Sequence, residues 1–182
     1  MRRPQPRFKR AVVADARVTA ANQGRTAPAG EGLGMLLLVL RLAYETDAFL
    51  GLMIYRGEAR LRSLGIPVLP WFLRRAAIAI AQIRIDPAAV LRPGVYVGHG
   101  QIVIDGPTEV GARAVLAPFS QLGPAEQGGG APRVGTAARI GTGSSVRGEI
   151  EIGAGATIGA NAVVRESVPT GSLCVGIPAR IL

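Results

Sequence analysis

The chain is poor in the residues that staple, ligate or fill wide cores. Cys174 is its only cysteine, so no intrachain disulfide can form, and nothing in it calls for an oxidising compartment. His99 is its only histidine, and one histidine with one cysteine cannot build a zinc site of the usual ligand type. The expectation is a protein without a metal. Only 8 of 182 residues are aromatic, against 48% hydrophobic overall, so the apolar load falls on Ala, Val, Ile and Leu. Such a core suggests a narrow interior filled by branched aliphatics in layers. An uninterrupted membrane span is missing too. The most apolar stretch, "MLLLVLRLAYETDAFLGLMI" (35–54), is broken by Arg41, Glu45 and Asp47, short of the roughly 20 apolar residues a span needs. A buried or interfacial helix is expected there.

Acidic residues are scarce as well, 12 against 21 basic ones, for a net charge of +9. That excess has an address. Residues 1–30 carry Arg2, Arg3, Arg7, Lys9, Arg10, Arg17 and Arg25 against Asp15 alone, which leaves +3 for the remainder. This describes a basic tail on a nearly balanced domain, not a basic groove, and no nucleic-acid partner is expected. Residues 1–32 read as a solvated, disordered extension. Their Arg-rich, acid-poor composition is also that of a transit peptide, and Met35 is an alternative start.

What the sequence has in quantity is glycine (25) and proline (13), and their placement follows a rule. Residues 33–84 read as a helical segment: one helix over 33–52, a second from Tyr55 to Ser63, and a third after "GIPVLP", with Pro70 in its first turn. The alternation in "AIAIAQIRI" leaves a strand over 76–85 as the competing reading of that third helix. From Ile85 the period becomes six: IDPAAV, LRPGVY, then after a one-residue slip IDGPTE, VGARAV, LAPFSQ; a Gly-rich loop follows over 123–133. The register resumes with VGTAAR, IGTGSS, VRGEIE, IGAGAT, IGANAV and VRESVP.

The first position of each unit is Ile, Leu or Val. The second is usually glycine or another turn former, and the fifth is mostly small. This is a coil of short strands with a turn every six residues, its first-position aliphatics stacked one coil above another. Three units make a triangular coil, so residues 85–169 less the 123–133 loop give about four coils, a prism roughly 20 Å tall at the spacing of paired strands. Residues 170–182 remain as a C-terminal tail. "GAGATIG" and "GTGSS" look like nucleotide loops, but their glycines fall on the repeat's turn positions and fit neither phosphate-loop pattern. Cys174, in "SLCVGIP", reads as a packed thiol. Ser120 and Ser172 have no activating motif nearby and are assigned no chemistry.

On these residues the chain resembles the hexapeptide-repeat acyltransferases and, within them, the serine O-acetyltransferases. The resemblance covers about residues 55–182. "YRGEARLRSLGIPVLPWFLRRAAIAIAQIRIDPAAV" is similar to the family's last helices and first coil, and "VRGEIEIGAGATIGANAVV" and "VPTGSLCVGIPARIL" are similar to its last coils and ending. The resemblance implies a left-handed parallel β-helix preceded by a small α-helical segment, an exception to the usual right-handed crossover. It implies a cytoplasmic O-acetyltransferase of cysteine biosynthesis that uses acetyl-CoA as co-substrate and forms a homotrimer or a dimer of trimers.

His99, in "VGHG", falls on the family's general base, which takes the proton of the acceptor hydroxyl as that oxygen attacks the thioester. A neutral imidazole, with an ordinary pKa of about 6.5, suits the task. Thr142 and Ala160 match positions whose backbone N–H groups hold the coenzyme, and Arg180 matches an arginine near its nucleotide, where it can pair a phosphate. Arg133, Arg139 and Arg147 would add positive potential.

Three positions depart from the family. Gly98 replaces an aspartate before the base, Arg84 an acidic residue that orients it, and Ala131 a second histidine that engages the acceptor. Here "GGGAPRV" stands where the family has "GGDRHPKI", in a loop about two residues shorter. Asp86, Asp105 and Glu126 are the carboxylates that could take over the orienting role. The departures open two further readings. One keeps the chemistry and changes the acceptor from L-serine to a sugar or surface-polysaccharide hydroxyl, which Ala131 and the short loop favour. The other is a catalytically degenerate β-helix scaffold that binds partners, favoured by Arg84 and Gly98. The 123–133 loop is expected to reach a neighbouring subunit and wall the acceptor pocket.

Overall fold

The computed structural model describes residues 5–66, 68–126 and 129–182. Arg2 and Arg3 of the basic N-terminus, and residues 127–128 of the 123–133 loop, lie outside the described residues. Four helices lead into a left-handed parallel β-helix of about five turns. The first face stacks β1 (Ile83–Ile85), β4 (Ile102–Ile104), β7 (Gln121–Gly123), β10 (Ser145–Arg147) and β13 (Val163–Val164). The second stacks β2 (Val90–Leu91), β5 (Glu109–Val110), β8 (Arg133–Val134) and β11 (Glu151–Ile152). The third stacks β3 (Tyr96–Val97), β6 (Val115–Leu116), β9 (Arg139–Ile140), β12 (Thr157–Ile158), β14 (Leu173–Gly176) and an antiparallel β15 (Ala179–Ile181).

The hexad rule is the packing rule. Ile85, Leu91, Val97, Ile104, Val110, Leu116, Leu122, Val134, Ile140, Val146, Ile152, Ile158 and Val164 are all buried. Fifth positions Ala89, Ala114, Ala138, Ala156 and Ala162 are buried beside them, small enough to sit at a corner. Two polar fifth positions satisfy their hydroxyls locally: Thr108 donates to Asp105 O at 2.6 Å and Ser144 to Gly141 O at 2.7 Å. Burying each such aliphatic contributes on the order of 1.5–3 kcal/mol.

The coil count exceeds the expected four for a physical reason. The first coil opens at Ile83, and residues 97–102, where the hexad slips, carry the chain round a corner from the third face to the first. The slip itself is visible in the pairing. Ile85 pairs with Ile104, nineteen residues on, whereas Ile104 pairs with Leu122, eighteen on. The extra residue therefore lies in the corner that carries His99. Val110 pairs with Val134, twenty-four residues on, so the 123–133 loop adds six residues and leaves the register intact.

The helical part differs from expectation in two places. Within residues 1–32, read as disordered, helix α1 (Phe8–Asn22) buries Ala11, Val13, Ala16, Ala20 and the acid Asp15. The Asp15 carboxylate accepts from Arg56 Nε at 3.0 Å, from Gly94 N at 2.7 Å and from Val95 N at 3.1 Å. Arg56 also donates to Leu91 O at 2.6 Å and Arg92 O at 3.0 Å. Burial pushes the Asp15 carboxyl above the ordinary range, against the opposing pull of Arg56 and the two N–H groups. A charge census cannot see this joint, because it counts Asp15 as one acid lost in a basic tail.

The second difference is in the apolar stretch. In place of one helix over 33–52, α2 (Leu33–Glu45) and α3 (Asp47–Ser63) meet at Thr46, whose backbone is extended. The Thr46 hydroxyl is tied sideways by Gln23 Nε2 at 3.0 Å. Helix α4 (Leu69–Ala81) carries Pro70 in its first turn and ends at Gln82 in the left-handed conformation, so β1 starts as a separate element. Residues 170–182 contain the β14–β15 pair, which closes the third face. No helix among the described residues is long and apolar enough to cross a membrane.

Candidate active site at a corner of the β-helix

Strands β3, β6, β9 and β12 pair in register through Val97, Leu116, Ile140 and Ile158. Two residues beyond each of these, the chain turns the same corner, and there stand His99, Pro118, Thr142 and Ala160. The sequence-predicted base and both predicted coenzyme positions therefore fall in one column. His99 and Thr142 are at its surface, as is Ala160.

The column is held by backbone bonds that leave particular groups over. Gly143 N donates to Pro118 O at 2.9 Å, and Asn161 N donates to Thr142 O at 2.7 Å. The N–H groups of Thr142 and Ala160 have no partner among the described residues, and they repeat one coil apart on the same edge. Gly141 permits this close stacking, since a Cβ there would stand 2.7 Å from Ala160 N and 2.6 Å from Ile158 O. An unpaired N–H is an obligatory donor, so two in line form a ready track for ligand oxygens or amide carbonyls.

Around His99 the structure is spare. The ring has no hydrogen bond or ion pair with any described residue. Of the carboxylates that could orient it, Asp86 closes its own turn by accepting Ala88 N at 2.7 Å. Asp105 lies 3.5 Å from Arg84 Nε. Glu126 is exposed in the 123–133 loop. Gly98 is buried, and a Cβ on it would meet Pro118 Cδ at 2.8 Å and Leu116 O at 3.1 Å, so this backbone has no room for a side chain before the histidine. The Pro118 that blocks it belongs to the same column. Gly100, at φ +116°, needs the freedom of glycine and lies under the exposed Phe119 ring.

The other singled-out residues are dispersed. Ala131 is buried, its methyl 3.8 Å from where a Cβ on Gly106 would be, so position 131 packs against the preceding coil. Arg180, exposed on β15, is paired in register with Val175 of β14, the strand next to β12, which places it on the face that leads to the corner. Arg133 approaches Glu109 at 4.0 Å, Arg147 donates to Gln121 Oε1 at 2.7 Å, and Arg139 is exposed without a partner among the described residues. Cys174 is buried, and desolvation pushes its thiol up, away from the reactive thiolate. The Ser120 hydroxyl is buried in the prism with no partner among the described residues. No group of three or more His, Cys, Asp and Glu side chains among the described residues could hold a metal ion.

Sequence reading missed the Asp15–Arg56 joint, although the "YR" at 55–56 marks half of it: Tyr55 Oη donates to Ala89 O at 2.9 Å while Arg56 spans the next turn. It also missed a cleft beside the corner, between α4 and the first face.

No protein-family model matches the chain, and neither does any curated protein. Solved structures do. The chain is similar to the serine acetyltransferase of Neisseria gonorrhoeae, with a TM-score of 0.79 and 28% identity over 96% of this chain and 66% of that one. It is similar to soybean serine acetyltransferase complexed with serine, with a TM-score of 0.79 and 26% identity over 96% of this chain and 69% of that one. A serine acetyltransferase in complex with CoA, 24% identical, shares the fold at a TM-score of 0.76, over 94% of this chain and 68% of that one. The chain thus spans about two thirds of the length of these proteins, and the likeness takes in the helices as well as the coils. By its repeats, its fold and these neighbours, the chain is similar to the serine acetyltransferases, as its hexapeptide repeats implied.

Proposed function

We propose that the chain is an acetyl-CoA-dependent O-acetyltransferase in which His99 is the general base. The observation that carries this reading is the column itself: a solvent-facing imidazole at one end, two unpaired N–H groups below it, and a basic edge strand beyond. Small residues at Thr142 and Ala160 let a pantetheine-like chain approach the backbone, their N–H groups donate to its amide oxygens, and Arg180 faces its phosphates. Acetyl-CoA supplies the acetyl group.

His99 Nε2 or Nδ1 accepts the acceptor's hydroxyl proton as the hydroxyl oxygen bonds to the acetyl carbon. The carbon–sulfur bond breaks, and the proton passes on to the departing thiolate. With no described carboxylate on His99, the ring is oriented by the substrates or by a second copy of the chain. The open side of the corner suits a homotrimer, in which another prism walls the groove.

The acceptor is the point at which the departures count. L-serine is supported by the serine complexes of the neighbours. A sugar hydroxyl is supported by the absence of room for a carboxylate at 98 and by the inward-facing Ala131.

Incubation with acetyl-CoA and a panel of hydroxyl acceptors, followed by free thiol release, tests the proposal. Acceptor-dependent release is expected, and His99→Ala should lower it by about 10²–10⁴, the range of general base catalysis. No acceptor-dependent release from wild-type protein, or equal release from both, would overturn it. Sedimentation at a mass that is not a multiple of three would remove the trimer.

A further inference from the structure

A cleft of about 540 Å³ opens between α4 and the first face of the prism. Trp71, Arg74, Arg75 and Ile78 form its helical wall, and Gln82, Arg84, Gln101 and Val103 form its floor. That volume lies within the range of small-molecule sites, and no acidic residue lines it. Its three arginines are unequally committed. Arg74 Nε donates to Glu58 Oε1 at 3.3 Å, and Arg84 Nε stands 3.5 Å from Asp105 Oδ1, each keeping donors to spare. Arg75 has no carboxylate partner among the described residues; its guanidinium stacks 5.2 Å from the centre of the Trp71 ring.

The cleft adjoins the corner. Arg84 pairs with Val103 across β1 and β4, and Gln101 precedes β4 by one residue. Gln101 is two residues beyond His99, so their Cα atoms lie within about 7 Å of each other. A positively charged recess thus borders the turn that carries His99.

We propose that this cleft binds the anionic group, carboxylate or phosphate, of a hydroxylated acceptor, whose hydroxyl is presented to His99. The proposal rests on the acetyltransferase reading and names its substrate class. Planar guanidinium forks on Arg75 and Arg84 suit a carboxylate or phosphate, and the amides of Gln82 and Gln101 add neutral donors. Arginine at position 84 then has a role of its own: it reverses the sign that the family's acidic residue would carry and selects for negative charge in the acceptor.

Trp71 is the only tryptophan in the chain, so its fluorescence reports on the cleft whether or not any chemistry occurs. Glucuronate and glucose 6-phosphate serve as the two anionic probes and glucose as the neutral control. A saturable change is expected with at least one anion and none with glucose. Competition by inorganic phosphate identifies the phosphate arm, and a response to glucuronate alone identifies the carboxylate arm. Arg75→Gln and Arg84→Gln should each weaken binding at least tenfold with thermal midpoints unchanged, Arg84→Lys should retain most of it, and His99→Ala should leave it intact.

In turnover, Arg84→Gln should raise KM for the anionic acceptor and leave kcat nearly alone. No saturable response to either anion, or wild-type affinity in both glutamine variants, overturns the proposal. Anion binding without acetyl transfer would instead remove the enzymatic reading. Transfer to neutral acceptors without anion binding would remove only the cleft.

Discussion

The helices and the coils of this chain handle apolar surface in opposite ways. In the prism first-position aliphatics stack on those one coil away, and all eleven from Ile85 to Val164 are buried, as are Val97 and Leu122. In α2 only Met35 and Leu42 are buried, while Leu33, Leu36, Leu37, Leu40 and Tyr44 face outward. Helices α3 and α4 share the prism's core through Ala48, Leu52, Tyr55 and Ala81, and α1 is tied on by a polar joint with Asp15, Arg56 and the backbone of residues 91–95 at its centre. Repetition makes a core that each added coil extends. A helical cap on one end has no next coil to lean on, and its outermost helices, α1 and α2, depend on specific bonds and on one another.

Breaking that joint should show the difference most plainly. Asp15→Ala leaves the Arg56 guanidinium buried without its counter-charge, a change that typically costs about 3–5 kcal/mol. The loss should be local. Amide hydrogen exchange is expected to speed up in α1 and α3, while amides in strands β9 to β13 keep their protection. Uniform loss of protection along the chain would mean that cap and prism unfold as one unit, and the contrast between them would fail.

How far each region was legible follows from the same physics. One position in six of the prism has a single acceptable environment, so its period shows in the sequence, and even the extra residue in the His99 corner appears as a one-step slip. The column of His99, Thr142 and Ala160 follows from that register. What did not show was what the corner leaves unpaired, because free N–H groups depend on which carbonyls the neighbouring coil presents. Helix α1 was hidden because its burial hinges on Asp15 meeting Arg56, forty-one residues on. The cleft was hidden because Trp71, Arg75, Arg84 and Gln101 come from a helix, a strand and a turn that only the fold brings together.

Inside the prism, the corner offers a sharper and smaller test. Gly98→Ala places a Cβ 2.8 Å from Pro118 Cδ and 3.1 Å from Leu116 O, and overpacking of this kind costs about 1–3 kcal/mol. Denaturant midpoints should fall accordingly, and Pro118→Ala in the same chain should recover most of the loss. If Gly98→Ala is neutral by itself, the corner is looser than the rest of the prism. In that case the missing aspartate reflects the choice of acceptor, not lack of space.

The smallest effect is expected on the face of α2 that the cap leaves uncovered. Leu37→Glu and Leu40→Glu remove no contact with the core, since both side chains are exposed, and each should shift the unfolding midpoint by no more than about 0.5 kcal/mol. Five outward apolar residues at spacings of three and four nevertheless form a stripe, and stripes of that kind mark surfaces that meet something apolar. A loss well above 0.5 kcal/mol that grows with protein concentration, together with a smaller sedimenting mass, would place another copy of the chain on that stripe. The cap would then complete its apolar core between molecules, as the prism completes its own between coils.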